Sequence, residues 1–81
     1  MRKISKGYFA TLKGKRVVLE VVDRDEEVTV SFVDHFGDYK VAVLDDDRLC
    51  DETIKVKVVD HFPDVKLERV NHFEDFEVYI K

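Results

Sequence analysis

Three histidines, His35, His61 and His72, each have an aspartate three residues downstream: Asp38, Asp64 and Asp75. Imidazole nitrogen and carboxylate oxygen are both competent ligands for zinc and other first-row metals. The six residues therefore form a candidate divalent-metal site if folding brings the copies together. The same spacing also suits a repeated turn, in which a short Asp side chain bonds a nearby backbone amide and the histidine is half-exposed. Repetition of a folding unit already accounts for three look-alike phrases, so the turn is the leading reading and the metal site its alternative.

The stretch "DDDRLCDE" gathers Asp45, Asp46, Asp47, Asp51 and Glu52 with Arg48 and Cys50. Calcium favours such oxygens, but the EF-hand spacing fails: Leu49 occupies the fifth position, no glycine holds the sixth, and Val56 stands at the twelfth. The stretch reads as a solvated acidic insertion. Cys50 has no histidine tied to it in sequence, and its acidic neighbours raise the thiol pKa, which disfavours a nucleophile. Neither a Walker-type loop nor Gly-x-Ser-x-Gly or His-Glu-x-x-His occurs, so no enzyme and no cofactor are expected.

The elements that position these residues follow an eleven-residue period. Rows "VDRDEEVTVSF" from Val22, "VDHFGDYKVAV" from Val33, "VDHFPDVKLER" from Val59 and "VNHFEDFEVYI" from Val70 align column by column. The row from Leu44 to Val58 is four residues longer, and "RVVLEV" and, weakly, "KGYFAT" fill the same columns upstream. Columns seven, nine and eleven are apolar, as in Val28, Val30 and Phe32, while eight and ten are mostly polar. This period of two with β-branched enrichment predicts strands with one dry face. Seven are expected, near 6–12, 16–22, 27–33, 38–44, 53–59, 64–70 and 75–80.

Column eleven and the next column one are both apolar, so the chain must bulge or turn a corner there. The intervening Asp-His-Phe-x-Asp phrase, with Gly37 and Pro63 in equivalent places, marks that corner. Phe36, Phe62 and Phe73 share column four, where they are expected to plug the core from the corners rather than form an exposed stripe. Lys40, Lys55 and Lys66 share column eight and read as solvent-facing charges that discourage edge pairing. Such short connections make successive strands either antiparallel neighbours or successive sides of a winding coil. The expected class is all-β: a single domain, 1–81, forming a compact layer pair or barrel with little or no helix.

The phrases "VDHFGDYKVAV" and "VDHFPDVKLER" resemble the repeat of the small septoil-knot proteins, of the kind Val-Asp-Tyr-x-x-x-Ala-Asp-Leu-Lys-Val-Tyr-Phe. The likeness covers roughly residues 22–80, with histidine at 35, 61 and 72 where that family carries a ring residue. It implies seven similar arcs threaded as a deep torus knot, against the general rule that chains are unknotted. No activity is implied.

Composition narrows function further. With 44% apolar residues, six of them phenylalanine, the 81-residue chain folds despite 40% charged content. A net charge of −4 with interspersed signs argues against nucleic acid as a partner. The single cysteine, and the lack of a secretory signal or an apolar run of about 20 residues, lead to a cytoplasmic, non-membrane protein. The expected role is a structural or protein-interaction module, monomeric or homodimeric. An unpaired terminal strand would be its docking surface.

Overall fold

The computed structural model describes residues 3–81, and among them six strands close into a barrel. They are β1 (Arg16–Val21), β2 (Val28–Val33), β3 (Tyr39–Val43), β4 (Glu52–Val58), β5 (Val65–Arg69) and β6 (Phe76–Ile80). Around the barrel their order is β1-β4-β2-β5-β3-β6, and each seam is parallel. No strand pairs with its sequence neighbour. Of the two arrangements the short connections allow, the winding coil is the one adopted. The all-β expectation holds at this level, whereas the first of the seven expected strands does not form.

That segment, Lys6–Leu12, is a 3-10 helix. Its apolar residues do not alternate. Phe9 and Leu12 stand three apart, which in a three-residue turn sends both side chains the same way. They enter one end of the barrel, where Phe9 is fully buried with its ring 6.0 Å from those of Tyr39 and Phe76. Tyr8 donates to the Glu52 carboxylate at 2.7 Å, and the Tyr39 hydroxyl donates to the Lys6 carbonyl at 3.0 Å, which pins the plug to two strands.

The register explains how five-to-eight-residue connections join parallel strands, a task that ordinarily takes a dozen residues or more. Column nine of every strand faces column seven of one neighbour and column eleven of the other. Val56, for example, stands opposite Val28 on one side and Val21 on the other. Two residues of stagger at each of six seams amount to about twelve around the circuit, which inclines the strands by roughly 55° to the barrel axis, beyond the usual 35–45°. Strands so inclined run largely around the barrel, and a short corner suffices to start the next one.

Each corner crosses the outside of the strand lying between the two it joins. The chain leaves β1 with the Val22 amide bonded to the Val56 carbonyl, and starts β2 with the Glu27 amide bonded to Lys55, on the opposite edge of β4. Corresponding bonds carry residues 34–38 over β5, 59–64 over β2 and 70–75 over β3. The four extra residues of the Leu44–Val58 row have the same origin. Every other step advances two places around the barrel, whereas β3 to β4 advances three. The connection touches β6 through Leu44 and Val78, then β1 through Asp51 and Arg16.

The core consists of columns seven and nine. Val17, Leu19, Val28, Val30, Val41, Ile54, Val56, Val65, Leu67, Phe76 and Val78 are fully buried, and no charged side chain joins them among the described residues.

Candidate interaction site

Glu27, Asp38, Asp64 and Asp75 occupy column six, where the chain comes off its corner, and they make the same pair of bonds. The backbone amide of each donates to a carbonyl in column eight of the crossed strand, and the amide of that same residue donates to the carboxylate. The pairs are Glu27 with Lys55, Asp38 with Lys66, Asp64 with Thr29 and Asp75 with Lys40, with carboxylate bonds of 2.8–3.0 Å. Asp51 and Arg16 repeat the arrangement after the long connection. These acids satisfy strand amides at the point where the chain changes edges, and so lock the register.

The three histidines lie on the corners that cross β5, β2 and β3. All are exposed, each beside the following phenylalanine with ring centroids 6.3–6.5 Å apart. The His-x-x-Asp copies thus occupy three separate corners, and each Asp has a carboxylate oxygen on a strand amide. No group of three or more His, Cys, Asp or Glu side chains suited to a metal forms among the described residues.

In the long connection, Arg48 donates to Asp46 from both its backbone amide and its guanidinium, holding the Asp46 carboxyl below the usual carboxylate range. Cys50 is partly buried. Desolvation, then the charge of Asp47 with lesser effects of Asp46 and Asp51, pushes its thiol up against the opposing pull of Arg16. A cleft of about 530 Å³ adjoins Arg16, Asp46, Arg48 and Leu49, and neither a histidine nor Cys50 lines it.

The phenylalanines overturn the expectation that they fill the core. Phe36, Phe62 and Phe73 are 94%, 98% and 92% exposed. The reason lies in the backbone. All three have left-handed φ of 60°, 53° and 60°, the conformation that turns the chain over the crossed strand and points the column-four side chain away from it. The equivalent residues on the other corners are Gly14 at 76°, Asp25 at 62° and Leu49 at 62°; the first two are types that tolerate this region far better than phenylalanine does, and Leu49, 81% exposed, turns outward as the phenylalanines do. That contrast was present in the sequence once Gly14 is placed in column four.

Topology gathers the three rings. β2, β5 and β3 are consecutive around the barrel, so Phe62, Phe36 and Phe73 follow one another on one side of the molecule despite their spacing in the chain. A cleft of about 510 Å³ adjoins Phe62, lined also by Ser31, Val33, Asp60, His61, Pro63 and Lys66. The expected docking surface, an unpaired terminal strand, is absent because the barrel closes through β1 and β6. No family model and no curated protein matches the chain. No helix among the described residues is long and apolar enough to cross a membrane.

Proposed function

We propose that the protein is a non-catalytic protein-interaction module of the cytoplasm, working through Phe36, Phe62 and Phe73. One observation carries this reading: three large apolar rings stand almost fully in solvent on a backbone conformation that disfavours them. A left-handed conformation costs a non-glycine residue about 1–2 kcal/mol, and these rings recover nothing by burial within the chain. A partner that covers them supplies the missing burial, and aromatic residues are the usual anchors of such contacts.

The direct test replaces all three with glycine, checks folding by circular dichroism and melting, and compares partners captured by photo-crosslinking. Loss of a specific crosslinked partner in the folded triple variant supports the reading. An unchanged set of partners, or none for either chain, refutes it. The proposal extends to the septoil-knot likeness, and what supports it is that every strand lies beneath a corner of the chain while each connection passes over one strand or, at 44–51, over two.

A further inference from the structure

The two ends of the barrel are unlike. At one end, column seven is sealed by the chain's own plug, with Phe9 fully buried and Leu12 1% exposed. At the other end, column eleven supplies a matching ring: Val21, Phe32, Val43, Val58, Arg69 and Ile80. Each is paired in register with a buried column-nine residue of its neighbour. Five of the six are apolar; Phe32 is partly buried against the core, and no plug among the described residues closes this end, so Val21, Val43, Val58 and Ile80 remain 43%, 49%, 44% and 37% exposed.

We infer that this open end is a second binding face, separate from the phenylalanine corners, and that it takes a short apolar segment of a partner polypeptide flanked by Lys or Arg. Two observations select that chemistry. The rim just outside the ring is acidic, with Asp23, Asp34, Asp45 and Asp60 exposed two residues beyond Val21, Phe32, Val43 and Val58. The cations next to the ring or its rim in the chain are Arg24, Lys57, Arg69 and Lys81, of which Arg69 faces Asp34 at 3.8 Å. In addition, the fold shows what seals such a ring: the plug is a short 3-10 helix carrying Phe9 and Leu12, set among Lys3, Lys6, Lys13 and Lys15. A partner segment of that kind meets apolar side chains at its centre and carboxylates at its edge, the usual division of a protein interface. A cleft of about 380 Å³ beside Val43 and Arg69, lined also by Ala42, Val70 and Asn71, extends the seat outward.

The test titrates the full-length protein with a synthetic peptide of the plug sequence, KISKGYFATLKGK, followed by methyl NMR. The expected result is saturable shifts at Val21, Val43, Val58 and Ile80, weakening as salt rises. Val43→Asp should lower the affinity at least tenfold. Asp23→Asn with Asp60→Asn, which leaves the ring and the Arg69–Asp34 pair untouched, should lower it several-fold and flatten the salt dependence. The Phe36, Phe62 and Phe73 glycine variant should bind as the parent does, so failure here and failure of the corner reading are distinguishable. No shift at these methyls, shifts confined to column seven, equal binding of a peptide with Glu in place of Lys, or a dimer that hides the ring in sedimentation would each overturn the inference.

Discussion

The acids and rings of the corner phrase have different masters. Asp38, Asp64 and Asp75 serve the backbone, while Phe36, Phe62 and Phe73 serve nothing inside the chain. Replacing Phe62 with glycine should therefore leave stability unchanged or raise it by up to about 1 kcal/mol, since relief of left-handed strain is partly offset by the greater freedom of glycine when unfolded. Urea unfolding reads this directly. A loss above about 1 kcal/mol would mean that the ring has packing partners after all. Cys50 gives a second expectation. Thiolate is the reactive form, and a raised thiol pKa lowers its fraction at neutral pH, so alkylation by iodoacetamide at pH 7.5 should be slower than for an unstructured peptide thiol. Equal or faster labelling would contradict the assigned environment.

Corners are the elements that make this barrel possible. Asp64→Ala removes the carboxylate from the Thr29 amide while sparing the backbone bond, and should cost about 1 kcal/mol in urea unfolding. Asp64→Asn keeps an acceptor oxygen and should cost less. Gly37 is needed for clearance, because a Cβ there would lie 2.6 Å from the Glu68 Cβ and 2.7 Å from its amide nitrogen as the corner crosses β5. Gly37→Ala should be destabilising by about 1–3 kcal/mol. Length matters as well. Cutting four residues from the 44–51 connection, which returns the Leu44–Val58 row to eleven residues, should prevent the three-place step and abolish cooperative melting, while a Gly/Ser replacement of equal length should melt cooperatively. A cooperative melt from the shortened chain would remove the proposed reason for the insertion.

The molecule as a whole is assembled from contacts distant in sequence. Paired strands bring together residues such as Val28 with Val56, Val30 with Val65 and Val17 with Val78. None of these seams is available to a hairpin, so loop closure must precede nearly all strand pairing, and refolding from urea should take seconds or longer. A single millisecond phase would contradict this topology and the proposed threading together. Closure has a second consequence. With β1 bonded to both β4 and β6, the sheet offers no free edge, so recognition passes to the corners and to the uncovered end of the barrel.

The amino-acid sequence by itself determined where six of the seven expected strands lie and, within them, that columns seven and nine face inward. Side-chain alternation is local, and columns seven and nine repeat it from Val17 to Val78. It also marked the corners, since an acid stands at column six in the rows from Val22, Val33, Val59 and Val70, and an apolar pair spans columns eleven and one at every boundary but Arg69–Val70. Parallel direction, strand order and closure were decided only in three dimensions, because alternation reports which way a side chain faces and is silent on which strand lies beside it. The same holds for the phenylalanines and the column-eleven ring. Both are apolar in columns that a linear reading assigns to a core. They meet solvent because left-handed corners turn outward, and because, among the described residues, a plug closes one end of the barrel and none closes the other.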